Sequence, residues 1–383
     1  MMDFALTEQQ ILIRDAARKF AEEELKEGAQ ERDMSEEFPL HLLKKLGERG
    51  LIGIQYPKAY GGQGGDYLSY VLTIEELCKV DSSFGIAYSI STTGFAGAIM
   101  LFANEEQKMH CLPGICRGDA MGCFALTEPE AGSDAGSAKT TAERKGDKFV
   151  INGTKKFITN GAIADYCFLV ANTDPSKGSK GLTAFLVDLK TTPGVRVGHI
   201  ENKCGIRSAK VAELVFENCE IPASRMIGEE GKGLRYALTI LNAGRIGVAA
   251  QGLGLAQGAF DTAKEYMKER KQFGKPICQN QYLAFRMADM ETDIDMARLL
   301  LYKAVWEQQN DLPFANTAAK AKLACTNLAM NVTTECVQFM GGRGYMKEQD
   351  VERMFRDAKI TQIYEGTNEI QRMIISNNLF KLK

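Results

Sequence analysis

The residues best suited to chemistry stand near the C-terminus, in Tyr364-Glu365-Gly366-Thr367. A carboxylate sits between a bulky ring and a glycine, with a hydroxyl two positions later. Glycine has no Cβ, so another molecule can lie against the backbone just past the acid. Thr367 can cap the helical run expected over 368–378 or donate to a ligand. Taken alone, the tetrapeptide also reads as a solvated turn. A second segment, Phe124-Ala125-Leu126-Thr127-Glu128-Pro129-Glu130-Ala131-Gly132-Ser133-Asp134, leads an apolar strand into a loop of hydroxyl, glycine and carboxylate groups. Its exposed donors suit a phosphate or a polar ligand edge, and an ordinary strand–turn reads the same way. Leu241-Asn242-Ala243-Gly244-Arg245 falls inside a helical pattern, where Arg245 is either a solvated, ion-paired arginine or a ligand contact. Glu269-Arg270-Lys271-Gln272-Phe273-Gly274-Lys275-Pro276 closes a helix with glycine and proline, and its cations suit a helix C-terminus.

The elements that must position these groups follow an α–β–α order. Residues 1–120 read as helical. Thr7 and Gln10 form a capping-box pattern, Pro39 opens a helix carrying Leu42 and Leu46, and Asp66 can cap the next one. Residues 82–103 are small and apolar, which suits close-packed helices or a pocket wall. From about 121 to 230 the pattern turns to strands. Asn152-Gly153 between Phe149-Val150-Ile151 and Lys156–Thr159 predicts a type I′ hairpin. Further strands are expected over 166–171, 182–187, 195–199 and 213–216. Over 231–383 long amphipathic runs at 232–269, 280–309 and 314–340, with a shorter one after Thr367, predict a helical bundle. The fold class is therefore α+β and mostly α: a helical N-terminal domain, a barrel- or sandwich-like middle β domain and a C-terminal four-helix bundle. A β section without βαβ alternation argues against a Rossmann domain.

Composition narrows the function. The chain has 383 residues, 45% hydrophobic and 25% charged, with net charge −2. No basic excess suggests nucleic acid, and no apolar run approaches the ~20 residues of a membrane span. The first twenty residues mix Asp3, Glu8 and Arg14 into a helical pattern, with no secretory signal. Ten scattered cysteines lack a Cys-x-x-Cys pair, and only three histidines accompany them, so no metal site is expected. Reduced thiols in a cytoplasmic protein are the expectation.

Arg356-Asp357-Ala358-Lys359-Ile360, then Ile363-Tyr364-Glu365-Gly366-Thr367 and Ile370-Gln371, resemble the C-terminal signature of the acyl-CoA dehydrogenases. Counterparts of that family's other segments run in order from Leu6 to Arg372. The resemblance implies an FAD-dependent enzyme that removes hydrogen across Cα–Cβ of an acyl-CoA thioester, with Glu365 as the base that takes the α-proton. By position, Phe124, Leu126 and Thr127 would flank the flavin ring, and Gly132 and Ser133 would lie near the FAD pyrophosphate and the CoA arm. Phe157, Ile158 and Thr159 would lie along the flavin face; Phe157 replaces the tryptophan common there and lacks its indole donor. Asn242 and Arg245 would follow the CoA moiety. Some family members carry the base at the position of Gly244, where glycine cannot serve. Gly366 would admit the thioester, and Thr367 and Glu369 would touch FAD. Arg270, Gln272, Phe273, Gln281, Gln338, Gly341 and Gly342 match segments that reach FAD in a neighbouring subunit, which implies at least a dimer; the family is usually a tetramer, so a homotetramer is expected. Asp134-Ala135-Gly136-Ser137 and 363–371 are most similar to the short-chain, butyryl-CoA type, whose reaction also runs backwards from crotonyl-CoA. Its electrons pass to an electron-transferring flavoprotein. An acyl-CoA oxidase and a non-dehydrogenating, flavin- or DNA-binding relative are the alternatives within the same fold.

Overall fold

The computed structural model describes residues 5–381; Asp3 and the chain ends lie outside them. The N-terminal third is helical: α1 (Glu8–Phe20), α2 (Ala29–Ser35), α3 (Leu40–Glu48), α4 (Tyr67–Cys78), α5 (Ser82–Ser89), α6 (Gly97–Phe102) and α7 (Glu105–Cys116). The Thr7 hydroxyl accepts from Gln10 N while the Gln10 side chain caps Thr7 N, and Asp66 accepts from Ser69 N at 2.7 Å. Between α5 and α6, Ile90–Ala96 winds as a π-helix, so that one continuous helix runs from Ser82 to Phe102. The helix has 21 residues, and an 18-residue window of it, with a mean hydropathy of 1.4, is long and apolar enough to cross a membrane, which the sequence reading did not expect. It is instead mostly buried inside the protein.

The middle section holds β1 (Gly122–Ala125), β2 (Thr141–Lys145), β3 (Lys148–Thr159), β4 (Tyr166–Asn172), β5 (Leu182–Asp188), β6 (Val195–Ile200), β7 (Val211–Pro222) and β8 (Met226–Ile227). They form one sheet in the order β6-β7-β3-β2-β4-β5-β8, with β1 parallel to β4. The sheet curls on itself: Phe149 of β3 meets Phe185 of β5 edge-on at 5.0 Å, although two strands separate them. Strands β4 and β5 are buried on both faces, which is why they read as unbroken apolar runs rather than alternations.

The Asn152-Gly153 hairpin does not form. Both residues lie inside β3, at a register shift against β7, and the chain reverses instead at Gly146-Asp147. Tertiary contacts decide this. A Cβ on Gly153 would stand 2.5 Å from the Thr140 hydroxyl, and Asn152 Oδ1 accepts from Asn218 N at 2.8 Å. The pair supplies a bulge that bends the strand.

The rest is the bundle: α8 (Gly233–Glu269), α9 (Gln281–Gln309), α10 (Ala315–Met340), α11 (Asp350–Thr361) and α12 (Asn368–Phe380), with a small β9 (Lys271–Gln272)–β10 (Lys275–Pro276) hairpin between α8 and α9. Helix α11, which precedes the Glu365 turn, goes unpredicted from the sequence. The ten cysteines are free thiols, eight of them buried and Cys204 exposed.

Candidate active site

Glu365 sits where α11 gives way to α12, on the seam between bundle and sheet. Its φ is +53° and that of Gly366 is +87°, two successive left-handed residues. Such a conformation costs a glutamate of order 1 kcal/mol or more, so the surroundings must impose it. They do. Gln371 Nε2 donates to the carbonyls of Gly366 (2.7 Å) and Glu365 (3.3 Å), and Lys322 Nζ of α10 donates to Gly366 O at 2.9 Å. Thr367 caps α12 by accepting from Ile370 N.

The turn leaves two groups of Glu365 unpaired. Its Oε2 is buried without a hydrogen-bond partner, and its N–H finds no acceptor among the described residues. Burial lifts the carboxyl to about 7, against the opposing pull of Arg245 and then Lys322. Gly244 on α8 makes this placement possible, because a Cβ there would stand 2.5 Å from Glu365 Oε2.

Glu365 borders two cavities. On one side lies a small apolar pocket of about 10 Å³, walled by Ile86, Ile90, Gly94, Phe124, Leu241 and Val248. On the other opens a cleft of about 570 Å³ between the sheet and α11, with Thr127, Gly132, Ser133, Phe157, Thr159 and Thr367 on its walls. From Ser133 an open groove of about 540 Å³ continues past Asp134–Ser137 to Leu234 and Leu238 of α8.

The loop carrying Thr127, Gly132 and Ser133 is held from beneath. Lys155, fully buried on β3, donates to Leu126 O (3.1 Å) and Glu128 Oε1 (2.7 Å), and the Glu128 carboxylate also accepts the N–H groups of Lys139 and Thr140. Removing one member would strand the other's charge, which for buried pairs costs on the order of 3–5 kcal/mol.

The structure brings most of the sequence-derived residues to this seam. Of those expected along the flavin ring, Leu126 and Ile158 do not face it and are buried in the core. Strand alternation explains Ile158, since Phe157 and Thr159 line the cleft and the residue between them must point the other way. Phe124 turns to the small pocket, stacked on Phe168 at 5.2 Å. Arg245 is buried beside Glu365, and its guanidinium donates to Asn242. Glu369 is exposed on the first turn of α12. Arg270, Gln272, Phe273, Gln281, Gln338, Gly341 and Gly342 gather at the far end of the bundle, where α8 and α10 end and α9 begins. Arg270 lies roughly 25 residues beyond Arg245 on α8, about 37 Å at 1.5 Å per residue. These residues border neither cavity, and Phe273 is 97% exposed with φ +52°.

Sequence reasoning missed the 201–206 wall of the cleft, Lys155, Gln371 and Lys322. Gln371 stood in the signature but received no role, and Lys322 left a signal of another kind. It stands in the helical row of Ala318, Cys325 and Ala329, all buried, where a lysine is out of place.

Profiles of the acyl-CoA dehydrogenase N-terminal, middle and C-terminal domains match residues 7–119, 123–219 and 231–380. The chain belongs to the acyl-CoA dehydrogenase family. It is 49% identical to a short-chain specific acyl-CoA dehydrogenase of Clostridium acetobutylicum, over 99% of this chain and 100% of that one. The butyryl-CoA dehydrogenase structure from Megasphaera elsdenii superposes with a TM-score of 0.97 at 45% identity, covering 99% and 100% of the two chains. A chain from a structure described as the electron transferring flavoprotein of Acidaminococcus fermentans gives a TM-score of 0.98 at 47% identity, with the same coverage. This acyl-CoA dehydrogenase is FAD-dependent, and its cleft fits a flavin. Phe157 offers an exposed ring, Thr127 and Thr159 offer hydroxyls, and a Cβ on Gly132 would meet nothing within 4 Å.

Proposed function

We propose that this enzyme dehydrogenates short-chain acyl-CoA, butyryl-CoA to crotonyl-CoA, with Glu365 as the α-proton base. One observation carries the reading: an unpaired buried carboxylate stands at the boundary between an apolar pocket and the flavin-sized cleft. A carboxylate lifted to about 7 is a far better base near neutral pH than one in water, and still ionises there. The free N–H of Glu365 is suited to donate to the thioester oxygen, which acidifies the α-carbon. When bound, FAD supplies the acceptor for the β-hydride.

Thr127, Thr159, Phe157, Gly132 and Thr367 would hold the flavin, with Phe124, Leu126, Ile158 and Glu369 supporting them from behind or at the rim. The thioester would pass over Gly366 with its CoA arm running from Ser133 into the open groove, and Asn242 and Arg245 would act from α8. The pocket beyond Glu365 admits about one water-sized group, which supports an acyl chain of few carbons. Arg270, Gln272, Phe273, Gln281, Gln338, Gly341 and Gly342 would complete the FAD site of a second subunit in a homotetramer. An electron-transferring flavoprotein is the proposed electron partner, in either reaction direction, and a cytoplasmic location belongs to the same reading.

Anaerobic absorbance titration tests this. Butyryl-CoA is expected to bleach the flavin band near stoichiometry, and hexadecanoyl-CoA to leave it oxidised. Bleaching by the long thioester alone would refute the short-chain assignment.

A further inference from the structure

We infer that Lys322 is a positioning residue for Glu365: its buried ammonium ties down the 365–368 turn and supplies positive charge that keeps the carboxylate ionised. The inference rests on the reading of Glu365 as the base. Lys322 is wholly inaccessible on α10, and its Nζ donates to Gly366 O at 2.9 Å and Asn368 Oδ1 at 3.0 Å. Asn368 is itself fixed by donating to Thr326 Oγ1 (3.1 Å) and Asn327 Oδ1 (3.0 Å). With Gln371, these side chains hold the two left-handed residues of the turn. Both hydrogen-bond acceptors of Lys322 are neutral oxygens, and it makes no ion pair among the described residues. Burying an ammonium without a carboxylate on it is costly, and holding a carbonyl needs only an amide. The charge therefore has another use.

The charged and titratable groups around the turn define that use. Glu365 feels Arg245 from α8 and Lys322 from α10, with the Tyr364 phenol beside it on the same turn. Lys322 feels Glu365 most, then Arg245, then Glu369 of α12. Asp357 of α11 acts on Tyr364. Burial drives the Lys322 ammonium down to about 7, and the Glu365 carboxylate is the strongest influence favouring its charged form. Taking that cation away leaves the Glu365 carboxylate with Arg245 alone, so its proton affinity rises.

Lys322→Met and Lys322→Gln in the FAD-loaded enzyme test this, with Lys322→Arg as the rescue. The primary readout is the ionisation midpoint of Glu365, followed by infrared difference titration against Glu365→Gln. The midpoint is expected to move up by one pH unit or more in both neutral variants and to return in Lys322→Arg. The acidic limb of kcat/KM should move with it, lowering activity at pH 7 about tenfold and restoring it at higher pH. Lys322→Gln, which can still donate to Gly366 O, should keep KM closer to wild type than Lys322→Met. An unmoved midpoint in both flavin-loaded variants overturns the inference. So does loss of FAD by both, which would make Lys322 a folding residue. Full activity in Glu365→Gln would instead sink the base assignment itself, whatever the lysine variants show.

Discussion

Two ends of the same bundle are finished to different degrees. At the Glu365 end the Glu365 and Gly366 carbonyls of a strained turn are tied to buried side chains, while Glu365 keeps an N–H and a carboxylate oxygen unpaired among the described residues. At the opposite end, Phe273 is 97% exposed, and Tyr282, Phe285 and Tyr345 lie bare beside open glycines. A monomer gains nothing from such a display, and exposed apolar clusters mark surfaces that await a partner. On the proposed reading, the contrast shows how one cofactor site is split across a chain. One end would be preorganised for chemistry within the subunit, and the other would be covered by another copy.

Short of removing the base, the largest expected effect is at the finished end. Gly244→Ala puts a methyl 2.5 Å from the Glu365 carboxylate and should push it off station, lowering kcat about 100-fold with FAD retained. Unchanged turnover there would break the claim that this end is tightly preorganised. Next comes the unfinished end. Phe273→Asp with Arg270→Glu should dissociate the assembly and weaken FAD binding tenfold or more. Sedimentation and flavin absorbance read both, while circular dichroism should show the helices intact. A variant that stays assembled with normal FAD content would mean that this end covers nothing.

The pH dependence is smaller but bears on the same contrast. On the proposed reading Glu365 works ionised, and burial lifts its carboxyl to about 7. As pH falls below 7, kcat/KM should drop tenfold per unit, and above about 8 it should level off. An acidic limb near pH 4.5 would place the carboxylate in water rather than in a finished pocket. The smallest effect is remote from both ends: Thr7→Ala removes the α1 capping box and should cost about 1 kcal/mol of stability with kcat unchanged.

Local signals were legible in the sequence, and distant ones were not. The Thr7 and Asp66 caps and the strands β4 and β5 depend on neighbours in the chain, so pattern alone located them. Asn152-Gly153 carries an equally strong local signal and misleads, because Thr140 and Asn218 determine what that pair does. Helix α11 was hidden by its buried charges. Arg356 pairs with Asp33 of α2, Arg353 lies beside Asp357, and Asp357 accepts the N–H of Ile206. Those partners stand 150 or more residues away, except for the Arg353–Asp357 neighbour, and the charges thin the apolar row to Val351, Met354 and Ala358. The same logic applies at the site. Glu365 was found through a signature around it, whereas Lys155, which holds the Thr127–Ser133 loop, carries no signature of its own.

The most direct test of the central claim is rapid anaerobic mixing of Glu365→Gln with butyryl-CoA, followed at the flavin absorbance band. The account expects FAD and thioester binding to persist while bleaching slows by about 10⁴-fold relative to wild type. Bleaching at the wild-type rate would contradict it, and the base would have to be sought elsewhere in the cleft.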